Sequence, residues 1–296
     1  SRRAVIHAAR AAGSRIAAAG THPFSRWSEQ LITPKTRYRE IARKLGQVAN
    51  ETVIFGCHVH VGIAERAVAI DVMNRVRARL APLLALAANS PFWLGQDTDY
   101  ASYRTEIWSR WPLSGPPLPF ASKEAYDALI AGLVGAGMID DETNLYWDLR
   151  PSGRFPTLEF RATDICLTVD EAVMLAGLVR ALARTAYLEH ERDAPYATVR
   201  PELLRAAHWR AARFGLDGEL VDLVQGRTVP AKELVEGFLA ELRDALEEAG
   251  DYDEVAAAVR DVVQGGNGAA RQRAAFARSG KLEDVVDYIV AQTERG

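Results

Sequence analysis

Apolar and polar residues alternate along three stretches of the chain. Between Thr52 and Ile63 every odd-numbered position is apolar, while positions 56, 58, 60 and 62 carry glycine or histidine. A second alternating stretch runs from Thr157 to Thr163, and a shorter one runs from Tyr146 to Arg150. Because successive side chains of a strand point to opposite faces, each stretch predicts a strand with one apolar and one polar face.

Helical spacing of apolar residues dominates the rest of the chain. It predicts helices over 2–19 and 36–48, and a helix over 68–87 that bends near Pro82. From Val169 onward the pattern is almost wholly helical, and the segment to Tyr187 is apolar on nearly every side, which predicts a helix buried in the core. Few strands between long helices indicate an α+β fold with an antiparallel sheet.

Composition narrows the class of protein. The 296 residues contain 36 Lys plus Arg and 39 Asp plus Glu, a net charge of −3, which excludes a nucleic-acid binder acting through bulk basic charge. No apolar run approaches the roughly 20 residues of a membrane helix, and the first residues lack a secretory signal pattern, so we expect a cytoplasmic protein with no membrane partner. No linker divides the chain, which predicts one domain over residues 1–296.

The strand that contains His58 and His60 is the sharpest local feature. Two imidazoles at i and i+2 of a strand lie about 7 Å apart on one face, where they can line a cleft or, with bending, share an ion. By spacing alone, a pair of half-buried, hydrogen-bonded histidines is the more frequent outcome.

Glu159 and Arg161 share one face of the strand over 157–163. A carboxylate there is a hard oxygen ligand suited to Mg²⁺, and a neighbouring arginine can hold a phosphate or a carboxylate. Taken alone, the pair is more typical of an ordinary cross-strand salt bridge. Asp148 and Arg150 also share a strand face and can pair with each other.

Polar side chains are dense in the loop that follows the helix ending near Ala87. Asn89, Ser90 and Arg104 stand out there as groups that could bind a small polar ligand. The glycines at 265–268 could begin a phosphate-binding helix, but they lack the Lys-Ser/Thr ending of a Walker loop, so a helix C-cap turn is favoured. No Gly-x-Ser-x-Gly motif supports serine-hydrolase chemistry.

Six segments, taken in order, carry a resemblance to a known family. The chain resembles the YbdK-like carboxylate-amine ligases, the bacterial glutamate-cysteine ligase type 2 family, from near residue 1 to its end. The matching segments are Gly20–Phe24, Cys57–Gly62, Ala88–Phe92, Ala101–Arg104, Trp147–Ser152 and Leu158–Arg161.

The resemblance implies a fold and an activity. The fold is a curved antiparallel sheet of the glutamine synthetase and glutamate-cysteine ligase type, with ATP, Mg²⁺ and glutamate on its concave face and helices outside. The activity is ATP-dependent formation of an amide bond through an acyl phosphate, with weak glutamate-cysteine ligase activity of the EC 6.3.2.2 type. The amine is classically cysteine, and a homodimer is compatible with the family.

Site roles follow from the same resemblance. Glu159 and His58 are expected to be metal ligands, and Arg161 and Arg150 are expected to clamp the phosphate or acyl phosphate as catalytic residues. The expected substrate-binding residues are Arg104, Asn89, Ser90 and His60.

Two alternatives stay open at the level of sequence. Family members ordinarily begin with an additional segment that carries a cluster of metal-binding glutamates, whereas this chain opens on the helix that normally follows. A ligase-like protein with impaired catalysis, which binds nucleotide or amino acid without turnover, is therefore one alternative. The other is a hydrolase that uses His58 and His60 around a transition metal.

Overall fold

Helices and short strands follow one another along the chain, and the computed structural model describes residues 2–295. The helices are α1 (Arg2–Ala11), α2 (Thr36–Leu45), α3 (Gln47–Asn50), α4 (Arg66–Val76), α5 (Ala81–Ala87), α6 (Tyr103–Ser109), α7 (Lys123–Gly135), α8 (Val169–Glu191), α9 (Pro201–Phe214), α10 (Ala231–Glu241), α11 (Arg243–Ala249), α12 (Tyr252–Gly265), α13 (Gly268–Ser279) and α14 (Leu282–Thr293). Single 3₁₀ turns occur at Trp27–Glu29, Arg77–Arg79 and Glu142–Asn144.

The strands are short, and three of them form the central sheet. They are β1 (Gly56–Gly62), β2 (Phe92–Trp93), β3 (Gln96–Asp97), β4 (Ser114–Gly115), β5 (Tyr146–Trp147), β6 (Leu149–Pro151), β7 (Thr157–Asp164), β8 (Glu219–Asp222) and β9 (Arg227–Pro230). The central sheet has the order β1-β7-β6, and both of its strand pairs are antiparallel. The α+β class with an antiparallel sheet is thereby confirmed.

Helices cover the apolar face of this sheet. Val59, Phe160 and Leu149 occupy one register row across the three strands, and they belong to or pack against the main hydrophobic core. Helices α4, α5 and α8 contact the strands on this side. The prediction that the segment from Val169 is a core helix is confirmed, since α8 buries residues such as Leu178 and Leu182 almost completely. Burial of such apolar side chains is the main force that holds the helices on the sheet.

The other predicted elements exist, but several end earlier than expected. The first helix stops at Ala11, where Gly13 adopts a φ of 71°, and Gly46, with a φ of 58°, separates α2 from α3. The expected bend near Pro82 is a break: the 3₁₀ turn at Arg77–Arg79 precedes α5, and Pro82 lies in the first turn of α5, where a missing N–H costs little.

The alternating stretch from Tyr146 to Arg150 forms two strands instead of one. β5 pairs in parallel with β4, whereas β6 joins the central sheet. Asp148 lies between the two strands and belongs to neither. Its side chain therefore need not share the sheet face of Arg150. Within residues 2–295, no helix is long and apolar enough to cross a membrane.

Candidate active site

A row of polar residues crosses the face of the central sheet opposite the core. His60 of β1, Glu159 of β7 and Arg150 of β6 are direct register partners. Directly paired residues of neighbouring strands share a face, so the three side chains stand side by side. His58 lies two residues before His60 and therefore points to the same face. The predicted polar and apolar faces of β1 are both observed.

The Glu159 carboxylate is the centre of this group. Its Oε2 accepts a hydrogen bond from Arg150 Nε at 2.9 Å, and its Oε1 accepts one from Arg161 Nη1 at 2.7 Å. His58 Nδ1 lies 3.1 Å from Oε1, and His60 Nε2 lies 3.7 Å from the same atom. Glu159 is only 5% exposed, so this carboxylate is enclosed by four groups that the sequence singled out.

The surrounding charges set the ionisation of this cluster. Burial by itself would raise the pKa of Glu159, but the hydrogen bond from His58 and the charges of Arg161 and Arg150 outweigh it and hold that pKa well below its usual range. Burial lowers the pKa of His58, and this effect exceeds the opposing influence of Glu159. Near neutral pH, Glu159 is therefore ionised and His58 is neutral. Because a carboxylate only accepts hydrogen bonds, Nδ1 of His58 carries the proton and Nε2 keeps its lone pair.

Both arginines of the cluster are held from a second side. Arg150 Nη1 donates to the carbonyl oxygen of Thr143 at 3.0 Å and also to that of Leu145. The guanidinium of Arg161 lies 5.8 Å from the centre of the Trp108 ring. Arg161 Nε is buried and has no hydrogen-bond partner among the described residues. A buried donor without a partner is energetically costly.

Arg104 reaches the same face at the far end of β1. Its guanidinium lies over Gly56, and a Cβ atom at that position would clash with it. Gly56, His58 and His60 alternate along β1, which puts Arg104 in line with the two histidines. The Arg104 side chain is 4% exposed; Nη2 donates to the Arg161 carbonyl at 3.3 Å, and Nε has no partner among the described residues.

A β-bulge in β7 brings a further acid to this face. Val59 pairs with Phe160 and Cys57 pairs with Thr163, so β7 has one more residue than β1 between the two pairs. Asp164 pairs with Gly56 as a result, and it shares the face of Glu159 although strict alternation would put the two on opposite faces. Sequence reasoning missed Asp164 for this reason.

Asn89 and Ser90 belong to a buried network around Asp164. The Asp164 carboxylate accepts hydrogen bonds from Ser90 Oγ at 2.6 Å, from Ser102 Oγ at 2.8 Å and from the Asn89 backbone N–H at 2.8 Å. Asn89 Nδ2 donates to the carbonyls of residues 18 and 165, and Asn89 Oδ1 accepts from Gln272 Nε2 at 2.8 Å. The network fixes the loop that leads to Arg104, and the expected substrate-binding role of Asn89 and Ser90 stays a prediction.

Two other sequence expectations are clarified. Asp148 does not pair with Arg150; its Oδ2 lies 3.1 Å from Nδ1 of the buried His208 on α9, a contact between distant segments that no local pattern signals. The glycine-rich turn is the end of α12, and Asn267 caps α13 by accepting a hydrogen bond from the Ala270 N–H. This agrees with the favoured interpretation as a C-cap turn.

The donor set does not by itself fit a magnesium ion. Mg²⁺ prefers several oxygen ligands, whereas both oxygens of Glu159 already accept hydrogen bonds from arginines. Across residues 2–295, no group of three or more His, Cys, Asp or Glu side chains is arranged to hold a metal ion. The assignment of Glu159 and His58 as metal ligands therefore stays a prediction. The guanidinium groups of Arg104, Arg150 and Arg161 are of the type that recognises phosphate and carboxylate groups.

A cavity of about 680 Å³ opens beside the segment 137–146. It lies between α2 and the segment 137–146, whose Thr143 carbonyl accepts a hydrogen bond from Arg150. Apolar groups such as Ile139 and Met138 and the ring of Tyr146 line part of it. The charged lining residues are Arg37, Arg43, Lys44, Arg154, Glu40, Asp140 and Asp141, which gives four cations and three anions. Its volume is in the range of sites for ligands of nucleotide size.

Comparison with known proteins identifies the family. The model of glutamate-cysteine ligase family 2 matches residues 1–288. A Frankia alni protein named "Putative glutamate--cysteine ligase 2-2" is 47% identical over 292 residues, which are 99% of this chain and 76% of that protein. The Rhodopirellula baltica protein named "Putative glutamate--cysteine ligase 2" is 42% identical over 99% of this chain and 77% of its own length.

Among solved structures, the glutamate-cysteine ligase of Francisella tularensis, crystallised in complex with AMP, has a similar fold. The TM-score is 0.52 at 14% identity, over 87% of this chain and 61% of that chain. This chain thus spans about three fifths of the solved protein. The likeness confirms the predicted fold type. On the match of the family model and on relatives above 40% identity, the chain belongs to glutamate-cysteine ligase family 2.

Proposed function

We propose that this chain is an ATP-dependent carboxylate-amine ligase that forms an amide bond through an acyl phosphate. The observation that carries the proposal is the arrangement of Arg150 and Arg161 on the two oxygens of Glu159, with His58 and His60 on the same sheet face. Such a ligase must bring the triphosphate of ATP close to a second anion, the substrate carboxylate. Fixed cationic groups are the usual means of offsetting that repulsion.

The arginine side chains of the sheet face support this activity. Three guanidinium groups, those of Arg104, Arg150 and Arg161, face two carboxylates, those of Glu159 and Asp164, and His58 is neutral. The Asp148 carboxylate also acts on Arg104, so cations and anions are equal in number here, and the support lies in the fixed, forked donors of Arg150 and Arg161.

Each residue has a role in the proposal. Arg161 and Arg150 hold the transferring phosphate and the acyl phosphate, and Glu159 keeps the two guanidinium groups in register. Arg104 and His60 contact the substrate, while Asn89 and Ser90 support Arg104 through the Asp164 network. The 680 Å³ cavity is the proposed nucleotide site, because its lining combines apolar groups for a base with four cations against three anions, and its lining residue Thr143 accepts a hydrogen bond from Arg150.

Finer assignments belong to the same proposal. They are glutamate as the carboxylate substrate, cysteine as one accepted amine with weak activity of the EC 6.3.2.2 type, Mg²⁺ accompanying ATP, a cytoplasmic location and a homodimer. The location rests on the sequence pattern, and the other assignments rest on the family resemblance and the named relatives. The hydrolase alternative gains no support from the structure, since no three-ligand metal group exists within residues 2–295.

The test is release of ADP and phosphate by the 296-residue chain with ATP, Mg²⁺, glutamate and a panel of amines that includes cysteine. We expect release that depends on both glutamate and an amine, with one amide formed per ADP. Nucleotide binding is measured in parallel by calorimetry with a non-hydrolysable ATP analogue. Nucleotide binding without any amine-dependent release would contradict the ligase and favour the binding protein without turnover.

A further inference from the structure

Residues 26–50 form an arm that is attached to the rest of the fold at its two ends. Before the arm, the Pro23 carbonyl accepts a hydrogen bond from the Gly95 N–H at 2.9 Å. After it, Thr52 Oγ1 accepts one from Trp111 Nε1 at 2.8 Å. Between these anchors, and within the described part of the chain, the arm forms hydrogen bonds only with itself and with the two residues that flank it on either side. Hydrogen bonds to the rest of the fold therefore do not fix its position.

Helix α2, the longest element of the arm, is weakly held. It has ten residues and buries none of them, and its main contact is with α3, which belongs to the arm itself. An isolated helix of fewer than about 12 residues is marginal in water, and helices in proteins owe most of their stability to a packed apolar face. Gly46 ends α2 with a φ of 58°, a backbone angle that lets the chain change direction there. The arm thus belongs to the least stable parts of the fold, which are the parts that move most easily.

One face of α2 forms a wall of the 680 Å³ cavity that is the proposed nucleotide site. The residues of this face follow the helical spacing i, i+3, i+4, i+7, and they are Arg37, Glu40, Ile41 and Lys44. The opposite wall is formed by the segment 137–146. Movement of the arm therefore changes how far this cavity is open to solvent.

Two cations of α2 face two carboxylates across the cavity. Lys44 Nζ lies 3.6 Å from Asp140 Oδ1, and the two side chains are 44% and 81% exposed. Hydrogen bonds from Thr143 and, to a lesser extent, the charge of Arg37 lower the pKa of Asp141. Exposed charge pairs of this kind contribute little to stability. A triphosphate, with several negative charges on adjacent groups, would therefore replace the two aspartates as the partner of Arg37 and Lys44.

We propose that the arm is a lid that closes over the triphosphate of the bound nucleotide, with Arg37 and Lys44 as its phosphate contacts. This rests on the proposed function and deepens it by naming the residues that close the nucleotide site. Water hydrolyses an acyl phosphate, so a ligase of this kind must exclude water once the phosphate has been transferred. A weakly held arm that is anchored at both ends can open for ATP to enter and close when Arg37 and Lys44 bind the phosphates.

Closure is tested by hydrogen–deuterium exchange of the full chain, followed by mass spectrometry of the peptides that contain α2. Exchange is measured without ligand and with a saturating non-hydrolysable ATP analogue and Mg²⁺. We expect exchange of the α2 amides to slow by at least about tenfold when the analogue binds, because the phosphates hold the helix in place. In the chain without ligand, α2 should exchange faster than the buried helix α8.

Arg37→Gln tests the phosphate contact. It should weaken binding of the analogue about tenfold in calorimetry, because one charge-assisted hydrogen bond is lost, and it should reduce the slowing of exchange even at saturation. Arg39→Gln is the matched control, since Arg39 lies on the same helix, is exposed and does not line the cavity. It should bind the analogue as the wild-type chain does, and circular dichroism should show the same helix content in both variants.

Unchanged exchange of α2 in the presence of bound analogue would overturn the lid and leave the proposed ligase standing. An equal loss of affinity in Arg37→Gln and Arg39→Gln would overturn the phosphate contact, since overall charge alone would explain it. Slower exchange of α2 without any amine-dependent ADP release would retain the lid and overturn the ligase. Absence of analogue binding to the wild-type chain would overturn both.

Discussion

Arg150 donates from Nε to Glu159 Oε2 at 2.9 Å between directly paired residues of two neighbouring strands. The second oxygen of the same carboxylate accepts from Arg161, so one buried acid fixes two guanidinium groups. An arginine held in this way loses little side-chain freedom when an anion binds. Pre-organisation of this kind is what phosphoryl transfer requires of its cationic groups.

Loss of the Glu159 charge should cost stability. Glu159→Gln leaves Arg150 and Arg161 facing each other without the anion between them, and we expect about 3 kcal/mol less free energy of unfolding, measured by urea denaturation. Glu248→Gln breaks the exposed pair with Arg184 and serves as the control, with no measurable change expected. Equal stability of the two variants would show that the Glu159 contacts contribute little.

The same carboxylate should make stability depend on pH. The folded state holds the pKa of Glu159 below its value of about 4.3 in the unfolded chain. The resulting stabilisation is complete above the unfolded pKa and is lost as the pH falls through the folded pKa. Wild-type unfolding free energy, followed from pH 7 to pH 3, should therefore fall more steeply below about pH 5 than that of Glu159→Gln. An equally steep fall of the unfolding free energy in both proteins would refute the lowered pKa of Glu159.

Gly56 should tolerate no side chain, although it lies in ordinary strand backbone. Gly56→Ala introduces a methyl group where the Arg104 guanidinium lies, and we expect a loss of roughly 1–3 kcal/mol together with reduced ligase activity. Gly62→Ala is the matched control on the same strand and face, because its Cβ would meet no atom within 4 Å. Urea denaturation of both variants provides the comparison. If both variants are equally stable, the position of the Arg104 guanidinium does not depend on the absence of a side chain at residue 56.

Arg161→Lys should separate charge from geometry. Lysine keeps the positive charge but loses the forked donors and the ring contact with Trp108, so we expect amine-dependent ADP release to fall by about 100-fold while the circular dichroism spectrum is unchanged. Arg184→Lys, at an exposed arginine paired with Glu248, is the control. A rate close to wild type in Arg161→Lys would remove Arg161 from the phosphate-binding group.

Much of the site was predictable because a strand has a period of two. Alternation alone puts His58 with His60 and Glu159 with Arg161 on polar faces, and it places Val59 and Phe160 in the core. The sequence pattern also singled out Arg150 on a strand face and Arg104 in a polar loop, and the family resemblance added the roles expected of them. Which strands pair, and in which register, depends on contacts far apart in sequence, so the row His60, Glu159, Arg150 could be seen only in the fold.

The features that sequence reasoning missed share this long-range origin. One extra residue in β7 moves Asp164 onto the face of Glu159, and no local signal marks that bulge. His208 of α9 meets Asp148 only in the folded chain, because 60 positions separate the two residues. Helix ends were misplaced where Gly13 and Gly46 adopt positive φ, since a glycine within a helical pattern does not reveal its backbone angle.

Gln272 connects the last quarter of the chain to the polar face of the central sheet. Gln272 Nε2 donates a hydrogen bond to Asn89 Oδ1. The neighbouring Ser90 Oγ accepts one from the backbone N–H of Arg104 at 3.1 Å, and the Arg104 guanidinium lies above Gly56. A displacement of α13 would therefore shift the guanidinium of Arg104, which lies more than 160 positions earlier in the sequence. The C-terminal helices therefore support Arg104 on the proposed anion-binding face, and their truncation should weaken ligand binding.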